Sequence, residues 1–568
     1  MKYTILILSI LLFSCGSLKE ENKESQQPNI LWIVTEDISP TLSFYGDRTA
    51  KTPHLDKLAA ESMIYDNAFA TVGVCAPARS SIITGMYPTT IGTMHMRTGN
   101  DVFSWGKREY KTSEQTGRND LSGNPIRQYS VVLPEDVKCY TEYLRAAGYY
   151  CTNNAKTDYQ FAAPVTAWDQ NNNKAHWRNR LKGRPFFSVF NIGTTHESRL
   201  WRNDTLKLTV SPENVKVPPY LPDNLATRKT IARHYSNVEL MDAEVGEIIE
   251  QLKKDGLYDN TIIFFYSDHG GPLPRQKREI YDSGLRVPFM IKDINSRTQG
   301  NSDRMISFVD LAPTMLSLAG IEAPGYMEGK AFLGTYESEE RQYIFGSSDR
   351  FDEYTDRIRV VRNKQFLYVK NDFPELSKYK DLAYRKNIPM MPVFLDLMKN
   401  NNIDDVEKIW FDTKTKEELY DCKADPHNIK NLADKPEYAS ILKEMRIFFN
   451  QHMHERQDLG KIPEAELINQ MWPDFQQPIT QNVTLSTSTA LSTGSVETSQ
   501  GRSVTLSSTT KGASIAYIIS DKPNLKLDFN SGWSLYTEPI VVEKGKYVYA
   551  MAIRIGFKES EVLQFHNL

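Results

Sequence analysis

The sequence predicts an α/β fold whose central sheet strands are covered by helices on both faces. Residues 29–35 (NILWIVT) and 261–267 (TIIFFYS) carry that reading. Each is short, apolar and without polar alternation, the pattern of a strand buried on both sides. A third run, 185–196 (PFFSVFNIGTTH), is a further buried strand and leads into His196.

The residues just past each strand are more informative than the strands themselves. The first strand ends in Glu36-Asp37 and the second in Asp268-His269-Gly270-Gly271. Carboxylates leaving a buried strand are costly unless they are solvated, paired or bound to a cation. Ligands of α/β sheets gather at the carboxyl ends of strands, so the two acidic tips are expected to meet there. Three converging carboxylates suit a hard divalent cation with oxygen ligands, calcium before magnesium because no rigid octahedral geometry is implied. Either tip alone would read as a helix cap or turn acid. Cys75, in the run 74–85 (VCAPARSSIITG), would alone read as a small buried residue before an apolar helix. Arg79 lies one helical turn beyond it. The constellation outweighs these separate readings.

Cys75-Ala76-Pro77-Ala78-Arg79 matches Cys-x-Pro-x-Arg, the mark at which sulfatases have their cysteine oxidised to formylglycine. Over about residues 28–456 the chain resembles type I sulfatases of the alkaline-phosphatase-like fold. Glu36 and Asp37 stand at the family's paired acids, with Glu in place of the usual first Asp. Ser267-Asp268-His269-Gly270 matches the metal segment, and Lys277, Tyr281 and Arg286-Val287-Pro288 match the family's later pattern. The helix at 235–252 with Met241-Asp242, and Glu418-Leu419-Tyr420-Asp421 with Asp425-Pro426 and Asn431-Leu432, fit as well.

The resemblance implies a fold and a chemistry. The expected fold is a mixed central sheet between helices, a small C-terminal sheet subdomain, and an appended β-sandwich. The expected cofactors are Ca2+, held by Glu36, Asp37, Cys75, Asp268 and His269, and the formylglycine made from Cys75. Once hydrated, the aldehyde carries two hydroxyls, one to attack sulfur and one to expel sulfate afterwards. Lys156, Lys277 and His196 are expected around the sulfate, His196 or a protonated neighbour at the leaving oxygen, with Arg79 fixing the formylglycine and Asp268 accepting the attacking hydroxyl's proton. Asp158 stands where the family has the histidine thought to drive sulfate elimination; it acts as that base or only orients Lys156. His95, Arg97 and Arg275 are the expected substrate-binding residues, and Arg278 is a further basic candidate.

The N-terminus reads as an address. Lys2 precedes an apolar stretch, 5–13, too short to span a bilayer and typical of a signal peptide. Leu12-Phe13-Ser14-Cys15 is a lipobox, so Cys15 is the expected acylated residue, with a plain signal peptide as the alternative. Glu20 and Glu21 resemble surface-export signals of some Bacteroidetes lipoproteins, and the expected location is the outer membrane, with its face open. Of the other cysteines, Cys139 and Cys151 either bridge or stay as buried thiols, and Cys422 completes the set. The formal net charge of −3, from 68 basic and 71 acidic residues, argues against bulk binding to nucleic acid.

The expected boundaries are 1–14 signal peptide, 15–27 tether, 28–344 catalytic domain, 345–472 C-terminal subdomain, 473–482 linker and 483–568 β-sandwich. Strands are expected at 357–361 and 365–369, closed by a helix at 438–456, with loop-rich insertions at 107–130 and 371–401. After Trp472 the composition turns Ser/Thr-rich, and strand-like patches at 483–486, 503–506, 513–519 and 540–555 resemble the sandwich appended to glycan-degrading enzymes. A packing role is favoured for it over direct glycan binding.

The expected partners are a sulfated oligosaccharide, from an ulvan-like algal glycan or a glycosaminoglycan, a formylglycine-generating or anaerobic sulfatase-maturating enzyme, and the outer membrane. The C-terminal phrase at 417–438 (EELYDCKADPHNIKNLADKPEY) resembles the heparan N-sulfatase branch, leaving O- against N-sulfate open. Competing readings are a phosphonate or phosphodiester hydrolase on the same fold and a non-catalytic glycan binder. The second would be expected to lack Cys75, Asp268 or Lys277, and all three are present.

Overall fold

The computed structural model describes residues 27–99, 110, 115–120, 122–296, 298–489 and 501–567. The expected signal peptide, Cys15 and most of the expected tether lie outside the described residues. The central sheet contains β1 (Asn29–Thr35), β2 (Met63–Phe69), β3 (Tyr150–Asn154), β4 (Gln170–Asn171), β5 (Phe186–Ile192), β6 (Thr261–Ser267), β7 (Phe289–Lys292) and β8 (Gly300–Ser307). Its order is β8-β2-β7-β6-β1-β5-β3-β4. From β6 to β4 the strands run parallel, while β7 is antiparallel to both its neighbours, so the sheet is mixed.

β1 shows why its sequence reads as unbroken apolar residues. Ile30, Trp32 and Val34 point into one core, and Leu31 and Ile33 into the other. Successive side chains of a strand face opposite ways, so a strand between two helical layers needs apolar residues at every position. The first core takes in α2 (Cys75–Thr84), α3 (Tyr140–Ala146) and α5 (Leu311–Leu318); the second takes in α1 (Pro53–Ala59) and α4 (Leu225–Lys254). Asn224 caps α4 by accepting the Thr227 N–H, which starts this helix ten residues before the expected 235.

A four-stranded antiparallel sheet comes next, β9 (Ile344–Ser348), β10 (Ile358–Arg362), β11 (Phe366–Asn371) and β12 (Glu417–Asp421). Between β11 and β12 the expected loop-rich insertion contains a helix, α6 (Met390–Lys399), whose Met390, Met391 and Phe394 fill the second core. Helix α7 (Ala439–Glu455) closes the small sheet with Leu442, Met445 and Phe449. A last helix, α8 (Glu464–Met471), returns to the first core.

The C-terminal strands form two antiparallel sheets. β13 (Thr484–Thr489), β14 (Gly501–Ser507) and β17 (Ile540–Glu543) make one; β15 (Ser514–Ser520), β16 (Ser534–Leu535), β18 (Tyr547–Ile553) and β19 (Leu563–His566) make the other. The expected run at 540–555 is thus two strands, broken by a turn at Gly545. Val504, Leu506 and Val542 meet Ile515, Val548 and Ala550 between the sheets. The sandwich is seated firmly on the larger part: Lys138 Nζ donates to the Gly512 carbonyl at 2.7 Å, Arg145 to the Trp533 carbonyl at 2.7 Å, and Val165 packs with Trp533 and Met551. Cys139 and Cys151 are both buried free thiols, so the bridge does not form. No helix among the described residues is long and apolar enough to cross a membrane.

Gly512 sits at φ +71° with the Glu135 carbonyl oxygen only 2.3 Å from where a Cβ would lie. Gly512→Ala is therefore expected to cost about 2 kcal/mol by forcing the seam apart. Thermal unfolding checks this; an unchanged midpoint would show that the seam contributes nothing.

Candidate active site

Parallel strands deliver their tips to one edge, and here β1, β3, β5 and β6 bring Glu36-Asp37, Lys156, His196 and Asp268-His269 together there. Thr35 pairs with Ile192 on one side and Ser267 on the other, which sets the acidic tips of β1 and β6 side by side. Cys75 is the first residue of α2, fully buried, at the end where helix N–H groups favour negative charge. The segment from Gly270 to Gly284 wraps over these tips. A Cβ on Gly270 would fall 2.2 Å from the Ser283 carbonyl oxygen and one on Gly73 2.3 Å from that of Glu279. Only glycine permits these approaches. They bring Lys277 to Cys75.

Lys277 Nζ donates to Asp37 Oδ2 at 2.6 Å and lies 3.5 Å from Cys75 Sγ. His269 Nε2 is 3.3 Å from the same sulfur and 3.0 Å from Asp37 Oδ1. Arg79 Nε donates to Asp268 Oδ2 at 3.1 Å and its Nη1 to Asn191 Oδ1 at 2.7 Å. Lys156 Nζ reaches Glu36 at 2.9 Å and Asp158 at 3.6 Å, and Arg97 donates to Asp158 at 2.8 Å. Further out, Arg278 pairs with Glu197 at 2.9 Å and with Asp352 at 3.3 Å. Cations and carboxylates alternate from Glu36 through Lys156, Asp158 and Arg97, and again from Asp352 through Arg278 to Glu197.

The electrostatics are set by burial opposed by neighbours. Burial works against the Asp37 charge, yet Lys277 and His269 hold its carboxyl well below the usual range. Burial also works against Lys156 and Lys277, but the facing carboxylates and the Cys75 sulfur raise both, so both stay protonated. His196 goes the other way: burial, then Lys277, push it down to about 3, and its imidazole is neutral. Its Nδ1 accepts the Ser198 N–H at 3.2 Å, which leaves the proton on Nε2, 3.8 Å from Glu36.

A cation fits this site. Asp37, Cys75, Asp268 and His269 each offer a ligand atom, all within 4.8 Å of one another, and Glu36, Asp37, Cys75 and His196 form an overlapping set. Asp37 Oδ1 is buried without a hydrogen-bond partner in good geometry. Burial opposes a charge on His269, yet Asp268, Asp37 and the Cys75 sulfur raise its pKa to about 10. A field that strong toward a proton favours a metal ion in the same place. Glu36, Asp37 and Asp268 contribute carboxylate oxygens to the two sets, the donors that hard divalent cations prefer.

Not every expected residue arrives. His95 turns away: it is buried 3.8 Å from Glu464, which pairs with Arg350, and burial lowers its pKa to about 4. Arg275 is buried too, donating to the His427 and Asn428 carbonyls and lying over the Tyr220 and Tyr281 rings, where it braces the fold. Arg97 does reach the rim. Asn191, Glu197 and Asp352 were not foreseen; Glu197 is the next residue after His196, but no local signal marks Asn191 or Asp352. Asp37, Arg97, Asp158, Arg278 and Asp352 all hold φ between +51° and +72°, a strained region for such residues and one that gathers at functional sites. A cleft of about 740 Å³ opens at the other ends of the strands, lined by Asn29, Arg184 and Asn260; it holds none of the converging groups.

The family model for sulfatases matches residues 28–321, more than half of the chain. The chain belongs to the sulfatase family. A second model, for the C-terminal part of N-sulphoglucosamine sulphohydrolase, matches residues 275–400. An ulvan-active sulfatase of Formosa agariphila is 41% identical, covering 99% of this chain and 97% of the relative. Human N-sulphoglucosamine sulphohydrolase is 26% identical over 74% of this chain and 88% of its own. Among solved structures, a putative sulfatase from Bacteroides fragilis superposes with a TM-score of 0.54 at 19% identity, covering 79% of this chain and 99% of that one. The expected sulfatase fold, with its mixed sheet and added antiparallel sheets, is the fold found.

The geometry bears on Asp158. Both Arg97 and Lys156 lie on its carboxylate, and they outweigh burial to keep its pKa low. A carboxylate so held is a weak base and a good clamp. Asp158→Asn is therefore expected to raise KM about tenfold with kcat nearly unchanged. A fall in kcat of about a hundredfold or more at constant KM would mark it as the base instead.

Proposed function

We propose that Cys75 is oxidised to formylglycine and that this sulfatase hydrolyses sulfate esters on oligosaccharides from a sulfated polysaccharide, with calcium beside the aldehyde. The observation that carries the reading is the position of Lys277, 3.5 Å from Cys75 Sγ and 2.6 Å from Asp37. One ammonium thereby spans the nucleophile's position and the cation's carboxylate. The hydrated aldehyde supplies one hydroxyl to attack sulfur and a second to release sulfate. Asp37, Asp268 and His269, with Glu36 beside them, would hold the ion, which supplies positive charge at the sulfate oxygens.

The remaining work falls to this chain's own groups. Lys277 and Lys156, kept protonated, face the sulfate's charge in a largely buried site. Asp268 takes the proton of the attacking hydroxyl, while Arg79 and the Asp37 N–H fix its two oxygens. His196 presents Nε2–H to the leaving oxygen as a neutral donor. Asp158 keeps Arg97 and Lys156 apart and aimed.

An ulvan-type oligosaccharide is the leading substrate, supported by the 41% identity over nearly the whole chain. The match of residues 275–400 favours N-sulfated glucosamine as a second reading. We further propose that Cys15 is acylated and holds the enzyme at the outer membrane, supported by the apolar stretch and lipobox before it. Oxidation of Cys75 requires a dedicated maturating enzyme.

Two outcomes test this. Matured protein should release sulfate from ulvan-derived or glycosaminoglycan-derived saccharides, and Cys75→Ala should lower kcat/KM by about a thousandfold or more. Turnover of phosphonate or phosphate diesters with no sulfate release would reassign the substrate class. Chelation should lower the thermal midpoint and excess calcium restore it, because a ligand at a hundred times its Kd stabilises by about 2.7 kcal/mol. Asp268→Asn should abolish that response; a calcium shift that survives the substitution would place the ion elsewhere.

A further inference from the structure

We infer that Trp201 and Tyr384 form a platform for the sugar ring adjoining the sulfated one, and so select the saccharide this enzyme accepts. The inference rests on the sulfatase reading above and adds a subsite to it.

The two rings come from distant parts of the chain and meet edge to face, centroids 5.1 Å apart at 75°. Tyr384 is 36% exposed and Trp201 half-buried. An exposed aromatic residue is unremarkable when alone. These two are tied to the catalytic segments. Trp201 lies on the single helical turn Arg199–Arg202, which begins where the Arg199 N–H donates to the His196 carbonyl at 2.7 Å. Buried Leu200 holds that turn in the second core. Tyr384 is flanked by Ala383, whose N–H donates to Glu353, and by buried Arg385, which donates to the Lys277 carbonyl at 3.0 Å. Both rings are thus placed by the residues that place His196 and Lys277.

Arg278 joins the rings to the sulfate site. It is the residue after Lys277, its guanidinium stands 6.0 Å from the Tyr384 ring, and it pairs with Glu197 and Asp352. Stepwise contacts lead from Cys75 to Lys277, from its sequence neighbour Arg278 with two carboxylates to the Tyr384 ring, and from that ring to Trp201. A sulfated saccharide has the complementary sequence: an anion, a ring rich in hydroxyls, and a neighbouring ring whose C–H face packs on aromatic carbon. Asp352, which keeps some exposure, has lone pairs for a sugar hydroxyl beyond the one used by Arg278, while buried Glu197 fixes that guanidinium. Aromatic rings lose little conformational freedom on binding, so a pre-set pair favours affinity. Tyr384 packs on Trp201 yet leaves about a third of its surface in solvent, open to a ligand.

The test uses matured, calcium-loaded enzyme with two probes, a sulfated disaccharide derived from ulvan and the matching sulfated monosaccharide. Wild-type enzyme should show the lower KM for the disaccharide. Trp201→Ala and Tyr384→Ala should raise that KM about fivefold to tenfold, with kcat and all monosaccharide constants unchanged. Tyr384→Phe, which keeps the ring, should behave as wild type, and thermal midpoints should show that each variant is folded. Unaltered disaccharide KM in both alanine variants, or equal losses on both probes, would overturn the platform. No sulfate release by fully matured wild type from either probe would overturn the ulvan-type substrate on which the platform rests, and the platform with it.

Discussion

Opposite charges are packed out of water at one edge of the sheet, and the rest of the structure depends on keeping them matched. Asp37, Asp268, Asp158 and Glu197 are buried with Arg79, Lys277, Arg278 and His269, and almost none of them has access to solvent. A buried charge deprived of its partner costs several kcal/mol, so each group is held by at least one opposite neighbour. That demand fixes the register of β1 against β5 and β6. A slip of one residue would exchange the side chains that β1 gives to its two cores and draw the acidic tips apart. The same demand accounts for the glycines at 73 and 270, which let the segment bearing Lys277 and Arg278 lie against both tips.

The strand ends were legible in the sequence because two physical signals coincide there. Unbroken apolar runs located β1 and β6 to the residue, and carboxylates directly after such runs demanded a partner. Cys75 and Arg79 were legible as one turn of helix with a fixed spacing. His95 and Arg275 misled because nearness in sequence does not say which side of a turn a side chain takes. His95 lies two residues before Arg97, yet it faces Glu464 from α8, whose approach no local pattern announces. Arg275 precedes Lys277 by two residues and is turned at φ +60° onto two tyrosine rings. Asn191 and Asp352 act through contacts spanning more than seventy residues, as Arg79 with Asn191 and Arg278 with Asp352, beyond the reach of periodicity.

Asp158 shows how a departure from a family pattern can be absorbed. A carboxylate in place of an imidazole adds a buried negative charge beside Lys156, costly if it were left unpaired. Here it is covered by Arg97 on one oxygen and approached by Lys156 on the other. The substitution therefore exchanges a titrating group for a fixed ion pair. The consequence is a site built on permanently charged lysine and arginine, with His196 neutral beside them.

The central claim is that oxidised Cys75, amid these charges, is the nucleophile. Its most direct test is to prepare the protein with graded extents of Cys75 conversion, measured by peptide mass spectrometry, and to record sulfate release for each preparation. The account predicts activity proportional to the converted fraction, with a line through the origin. Substantial sulfate release from protein whose Cys75 is wholly unconverted would contradict it.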